Sequence, residues 1–143
     1  MNKEVAVLLM SHGNFAKSAI ESAELIIGKQ ENYETLSVFV VDHVNSLKEE
    51  MLEKVERLDT SKGLIVFTDI IGGTPMNLAG NLIERENTII CSGLNLPILL
   101  EILLNRSKSI EELKEDLKNQ EKYGIIIRTN DDLEKEVDED DLL

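Results

Sequence analysis

The sequence predicts an α/β fold with a doubly wound, mainly parallel sheet and helices on both faces. Apolar runs of strand length recur about every 25 to 30 residues, and segments with helical periodicity lie between them. Several runs are almost continuously apolar, which is typical of strands buried on both faces of a parallel sheet. Units of this kind cross over with a right-handed connection, and 143 residues are enough for one domain.

The predicted elements follow one another in strand-helix order. Parallel strands are expected at residues 5–10, 36–41, 64–68 and 88–92. The predicted helices run from Phe15 to Ile27, from near Ser46 to about Leu58, from Pro75 onwards, from Pro97 to Leu104, and from Ser109 to near Tyr123. Capping-box spacing opens two of them, with Glu49 three residues after Ser46 and Glu112 three residues after Ser109. A last short strand is expected at residues 124–128.

Two regions are predicted along the chain. Residues 1–130 form the folded domain, and residues 131–143 form an acidic, flexible tail that contains eight acids and one lysine. No apolar run reaches the roughly 20 residues that cross a bilayer, and the first residues do not resemble a signal peptide. We therefore expect a cytoplasmic protein.

Composition excludes several classes of function. The formal net charge of −13 argues against nucleic-acid binding, which requires a basic surface, and favours a protein partner with a basic contact surface. The single cysteine excludes an internal disulfide and a cysteine-based zinc site. No cluster of histidines and acids has the spacing of a metal site, so neither a metal nor another cofactor is expected.

Chemically capable residues follow the predicted strands at their carboxyl ends. His12 and Gly13 follow the first strand, and Asp69 follows the third. Open parallel sheets bind ligands outside these ends, where the strand order reverses. His12 and Asp69 would therefore come together if the first and third strands are neighbours.

This arrangement predicts a histidine that carries phosphate. A neutral imidazole is nucleophilic near pH 7, because its ordinary pKa is about 6.5. Asp69 would accept from one ring N–H and leave the other nitrogen with an outward lone pair. Phosphoryl oxygens would be held at Gly13, Gly72, Gly73 and Thr74, where glycines permit close approach of the backbone and a helix begins.

Two alternatives stay open from the residues alone. The hydroxyl of Thr74 either caps the following helix or binds the phosphoryl group. His43 is the competing histidine, but it has no glycine loop, so a position in a turn is expected for it. Cys91 lies within the fourth strand and is expected to be a small buried side chain.

Three segments resemble one known family. Residues 7–13 (VLLMSHG), 68–77 (TDIIGGTPMN) and 93–97 (GLNLP) are similar in order and spacing to the IIA component of the mannose/fructose/sorbose family of the bacterial sugar phosphotransferase system (PTS). The similarity extends over about residues 5–104.

The resemblance implies a phosphotransferase that acts as a phosphocarrier. His12 would accept a phosphoryl group from the phosphocarrier protein HPr and pass it to a histidine of the IIB component for sugar uptake and phosphorylation. Asp69 would orient the His12 ring. The membrane components IIC and IID would be contacted only indirectly, which places the protein at the periphery of the transporter. The resemblance also implies a homodimer in which the last strand lies antiparallel on the partner's sheet.

Three other functions remain to be separated from this one. A carrier of the same fold could feed a dihydroxyacetone kinase. A non-catalytic anion-binding regulatory module would use the same loop without transfer. A phosphomonoesterase with a phosphohistidine intermediate is disfavoured, because no arginine lies near His12 in the sequence to clamp phosphate.

Overall fold

The computed structural model describes residues 4–119 and 123–131. Four strands and five helices alternate along this part of the chain. The strands are β1 (Ala6–His12), β2 (Tyr33–Val38), β3 (Leu64–Thr68) and β4 (Thr88–Ser92). The helices are α1 (Phe15–Ile27), α2 (Val44–Arg57), α3 (Gly73–Ala79), α4 (Leu96–Leu104) and α5 (Ile110–Lys118), with a 3-10 turn at Gly80–Leu82 after α3.

The four strands form one parallel sheet in the order β2-β1-β3-β4. The chain first moves outward from β1 to β2 and then returns to build β3 and β4 on the other side of β1. The strand order therefore reverses between β1 and β3, which confirms the predicted doubly wound α/β class. This reversal is the position at which open sheets of this type bind ligands.

Alternating residues of the central strand feed two hydrophobic cores. Val7 and Leu9 point to the core beneath α1, α4 and α5, whereas Leu8 and Met10 point to the core beneath α2 and α3. All four side chains are fully buried. Burial on both faces explains why the strand reads as a continuous apolar run.

A buried arginine links several segments of the chain at the amino-terminal edge of the sheet. Arg106 is 1% exposed. Its Nε donates to the carbonyl oxygen of Val5 at 2.9 Å, and its Nη1 and Nη2 donate to the carbonyl oxygens of Glu31 and Asn32, each at 2.6 Å. Desolvation by burial lowers the pKa of Arg106. The guanidinium thus connects β1, the approach to β2 and the end of α4 at the edge opposite the carboxyl ends of the strands.

The prediction for the second strand was wrong by three residues at each end. The register pairs Val38 with His12, so β2 and β1 end at the same level. Residues 39–41 continue beyond the sheet, and the Asp42 carboxylate accepts from the Phe39 N–H at 2.7 Å and turns the chain. Residues 39–41 were mistaken for part of the strand because they are apolar. Their side chains lie on the surface, and Val40 is fully exposed.

Helix termini were predicted with mixed success. The capping box of Ser109 and Glu112 is confirmed at the start of α5, but α5 ends at Lys118 and not near Tyr123. The box predicted for Ser46 and Glu49 was wrong, because α2 already begins at Val44. Helix α4 begins one residue before Pro97, and the side chain of its N-cap residue Asn95 accepts from the Ile98 N–H.

The predicted last strand pairs with no strand in the part of the chain that the structure describes. Residues 125–129 belong to no strand of the described sheet, and Ile125, Ile126 and Ile127 are 91%, 77% and 79% exposed. Pairing with a partner's sheet stays a prediction. The predicted acidic tail lies outside the described residues except for Asp131.

Candidate functional site

His12 and Asp69 meet at the reversal of the strand order. His12 is the last residue of β1, and Asp69 directly follows β3. One carboxylate oxygen, Oδ2 of Asp69, accepts from the backbone N–H of His12 at 2.9 Å and lies 2.8 Å from the ring Nδ1. The structure therefore brings together the two residues that the sequence predicted as a pair, and a single oxygen holds both the backbone and the ring of His12.

The hydrogen bonds of Asp69 determine which nitrogen of the ring carries a proton. Partial burial disfavours the charged carboxylate, but the bonds from the His12 backbone and ring and from the Ile70 N–H outweigh this effect and lower the pKa of Asp69. An ionised carboxylate only accepts hydrogen bonds. Nδ1 must then donate, so the Nε2 atom of the neutral ring has the free lone pair.

The exposed side of the ring faces a glycine. The side chain of His12 is 50% exposed, whereas that of Asp69 is 13% exposed. A Cβ atom on Gly73 would lie 3.1 Å from Cε1 and 3.4 Å from Nε2 of His12. Absence of a side chain at Gly73 therefore keeps the space beside Nε2 of His12 open.

Two consecutive left-handed residues shape the loop that follows Asp69. Gly72 and Gly73 both have φ of +83°, a conformation that favours glycine. Gly72 is the N-cap residue of α3, and its N–H donates to Sδ of Met76. The glycine pair thus brings the first turn of α3 against the His12 ring.

The structure decides one of the alternatives for Thr74. Thr74 lies inside α3 and not at its N-cap, and the N-cap position makes no side-chain hydrogen bond. The capping role and the placement of Pro75 at the first helical position were therefore wrong. The reason is that the left-handed Gly72 starts the helix earlier than a Thr cap would. Thr74 is one of the residues that line the pocket beside His12.

A pocket of about 380 Å³ opens beside the His12 ring. His12, Gly13 and Thr74 form its polar side. The remaining walls are mostly apolar and come from the end of β2, the following loop and α2: Val38, Phe39, Val40, Asp42, Val44 and Leu47. Gly13 contributes its left-handed turn, with φ of +56°, while its N–H donates to the Val38 carbonyl oxygen at 2.8 Å.

The other candidates are not part of the hydrogen-bonded pair of His12 and Asp69. His43 is the N-cap residue of α2 and is exposed, in agreement with the turn position predicted for it. Cys91 is half-buried in β4 and not fully buried as predicted, and desolvation raises the pKa of its thiol. Within residues 4–119 and 123–131, no three histidine, cysteine or acidic side chains are grouped to hold a metal ion.

Sequence reasoning missed two contributors to the site. The hydroxyl of Ser11 bonds to both sides of the turn after His12, and the Met76 thioether accepts from the glycine loop. Serine is a common nucleophile, but Ser11 acts here through hydrogen bonds to the backbone, and the thioether of Met76 is not a catalytic group. Only the adjacency of Ser11 to His12 and the position of Met76 after the glycines could have suggested them.

The site consists of a histidine held by a carboxylate at the switch point of a doubly wound sheet, beside a glycine loop. This arrangement belongs to an α/β protein whose site is suited to phosphoryl transfer. Comparison with known proteins specifies the class. Residues 6–120 match the family model described as the PTS system fructose IIA component. The chain belongs to this family, which confirms the resemblance seen in the sequence.

Individual relatives agree with this assignment. The chain is 30% identical over 112 residues to the mannose-specific EIIAB component of Escherichia coli K12, covering 76% of this chain but only 35% of that protein. It is 29% identical over 116 residues to the fructose-specific EIIA component of Bacillus subtilis 168, covering 80% of each chain. The crystal structure of a phosphotransferase system component EIIA from Streptococcus agalactiae superposes with a TM-score of 0.75 at 27% identity, covering 86% of this chain and 96% of that one.

No helix among the described residues has the length and apolar character needed to span a bilayer.

Proposed function

We propose that His12 carries a phosphoryl group between HPr and a IIB component of a sugar phosphotransferase system. The observation that carries the proposal is the pairing of Nδ1 with Asp69, which leaves Nε2 as the nucleophile of a half-exposed side chain. Family membership supports HPr as donor and IIB as acceptor. The relatives whose names include mannose or fructose support a transport role, without indicating which sugar is taken up here.

Each transfer exchanges one phosphorus–nitrogen bond for another. The Nε2 lone pair attacks the phosphorus of phospho-HPr, the bond to the donor histidine breaks, and its electron pair returns to the donor ring. Nδ1–H stays on His12 throughout, and the Asp69 carboxylate stabilises the positive charge that the ring gains. The same steps in reverse order deliver the group to IIB.

The phosphoryl oxygens would be bound at the start of α3. The first N–H groups of a helix have no acceptor within it, so those of Gly73 and Thr74 are available, and Thr74 lines the pocket beside His12. Gly13 and Gly72 would contribute through their left-handed backbone, because their own N–H groups donate to Val38 and Met76. Such donors neutralise phosphoryl charge without a metal ion.

Apolar residues around the site supply a surface for protein partners. Val40 and Val41 are 103% and 83% exposed on one side of the His12 pocket, and Ile71 is 79% exposed in the glycine loop. Exposed apolar groups concentrated around a reactive side chain are typical of a protein-binding site. The net charge of −13 would speed association with a basic carrier surface.

The direct test is phosphorylation by purified enzyme I, HPr and labelled phosphoenolpyruvate. We expect acid-labile label on the wild-type chain and on His43→Ala, and none on His12→Ala. Circular dichroism should show that His12→Ala remains folded, because the ring is half-exposed and not part of the core. Label that persists in His12→Ala and disappears in His43→Ala would assign the role to the other histidine.

The exposed isoleucines support a homodimer. Strand β4 pairs only with β3 within the described sheet, so one of its edges is open, and three consecutive isoleucines at residues 125–127 are exposed. Antiparallel addition of this segment to the β4 edge of a second copy would cover both features. Light scattering should show a dimer for the wild type and a monomer for Ile126→Asp. A monomeric wild type, or a dimer unaffected by Ile126→Asp, would contradict the exchange.

A further inference from the structure

Ser11 is a fully buried polar residue next to the proposed phosphate carrier. It is the penultimate residue of β1, and its relative exposure is 0%. Its hydroxyl accepts from the Ala16 N–H at 2.8 Å and donates to the Gly13 carbonyl oxygen at 3.1 Å. A single buried hydroxyl therefore satisfies polar groups on both sides of the turn that leads from β1 to α1.

This hydroxyl replaces the usual cap of α1. The N-cap residue Asn14 makes no side-chain hydrogen bond to the helix, whereas Ser11 accepts the N–H of the second helical residue from within the strand. The oxygen of an ordinary N-cap side chain accepts from an N–H two or three residues further along the chain. The cap supplied by Ser11 spans five residues and fastens the helix to the end of the strand.

The consequence concerns His12, which lies between Ser11 and Gly13, the residue whose carbonyl group Ser11 holds. Asp69 Oδ2 must accept both the backbone N–H and the ring Nδ1–H of His12, at 2.9 and 2.8 Å. One oxygen can serve both donors only if the His12 backbone keeps a fixed orientation relative to β3. Ser11 anchors Gly13 on one side of His12, and β1 anchors the other side.

We propose that Ser11 is a positioning residue that keeps His12 in the single-tautomer geometry required for transfer through Nε2. The proposal rests on the proposed function of His12. Without the Ser11 hydroxyl, the turn loosens, the Nδ1–Asp69 bond is made only part of the time, and Nε2 becomes protonated in part of the molecules. Those molecules have no lone pair aimed at the donor.

Ser11→Ala tests the proposal, because it removes only the hydroxyl. We expect ¹⁵N NMR of the unphosphorylated protein to show His12 with Nδ1 protonated in the wild type and a mixture of tautomers in Ser11→Ala. Transfer from phospho-HPr should slow about tenfold, since a small misplacement of a reacting group is enough for such a loss.

Ser109→Ala is the matched control. Ser109 also accepts a helix N–H through its hydroxyl, from Glu112 at 3.1 Å, but it caps α5. The start of α5 packs against Gly63 at the amino-terminal edge of the sheet, away from His12. Its loss should lower stability while leaving the His12 spectrum and the transfer rate like those of the wild type.

Each result separates the alternatives. A wild-type His12 spectrum in Ser11→Ala, or equal slowing of transfer in Ser11→Ala and Ser109→Ala, would overturn the positioning role. If the wild type itself takes no phosphate from HPr, the proposed function fails, whereas the tautomer measurement still decides whether Ser11 controls His12.

Discussion

Gly73→Ala tests whether the space beside Nε2 is reserved for the phosphoryl group. The added Cβ would lie 3.1 Å from Cε1 and 3.4 Å from Nε2 of His12, closer than the optimum of about 3.5 to 4.0 Å between carbon atoms. The ring or the loop must therefore move. The φ of +83° adds a backbone cost of about 1 to 2 kcal/mol for a residue with a side chain.

Gly72→Ala provides the control for backbone strain. It has the same φ of +83°, but a Cβ there would meet no atom within 4 Å. Urea denaturation should show a loss of about 1 to 3 kcal/mol for Gly72→Ala, because a φ of +83° with a ψ of 176° is adopted readily only by glycine. Any additional loss of transfer in Gly73→Ala then reports the methyl group beside the ring.

Rapid-quench transfer from labelled phospho-HPr measures that difference. We expect Gly73→Ala to transfer about 100-fold more slowly than the wild type, because the methyl group displaces the reacting atoms. Gly72→Ala should show a much smaller loss. Equal transfer rates for the two variants would refute the view that Gly73 keeps the approach to Nε2 clear.

Substitutions at three further residues test separate parts of the structure. Asp69→Asn should slow transfer about 10²- to 10⁴-fold, measured by the same assay, because the ring loses its carboxylate partner. Folding lowers the pKa of Asp69, so its carboxylate stabilises the folded protein above the unfolded pKa of about 3.9. This stabilisation is lost as pH falls through the folded pKa. Urea denaturation should therefore show that the wild type loses its greater stability over Asp69→Asn only below about pH 4. Thr74→Val should reduce transfer several-fold with little change in stability, and Thr74→Ser should restore the rate, since the hydroxyl makes no cap in α3. Arg106→Met should lower the free energy of unfolding by about 3 kcal/mol in urea denaturation, because three carbonyl groups lose their buried donor. The folded variant should transfer phosphate at the wild-type rate. A variant as stable as the wild type would contradict this prediction.

The meeting of His12 and Asp69 could be predicted from the sequence, because parallel strands place their carboxyl ends at one edge of the sheet. His12 and Asp69 are 57 residues apart, yet each follows a continuous apolar run, and this was enough to predict their pairing. The glycines were identified for the same reason. The continuous apolar run of β1 also predicted burial on both faces of the sheet, which the two cores confirm.

Local features that depend on tertiary contacts could not be predicted. The sequence of Val40 and Val41 is typical of a strand. The structure shows that β2 stops before them, because its last pair with β1 is Val38 with His12. Thr74 is a residue type that often caps a helix, but the left-handed Gly72 occupies the N-cap position of α3 instead. The bond from the Ala16 N–H to Ser11 crosses a turn whose shape the sequence does not specify.

The nitrogen that carries the phosphoryl group tests the central claim most directly. Phosphorus–nitrogen NMR of the ¹⁵N-labelled protein, phosphorylated by enzyme I and HPr, identifies the bonded atom. The pairing of Nδ1 with Asp69 predicts a bond at Nε2 of His12, with Nδ1 still protonated. A phosphoryl group on Nδ1 of His12, or on any other residue, would contradict the account.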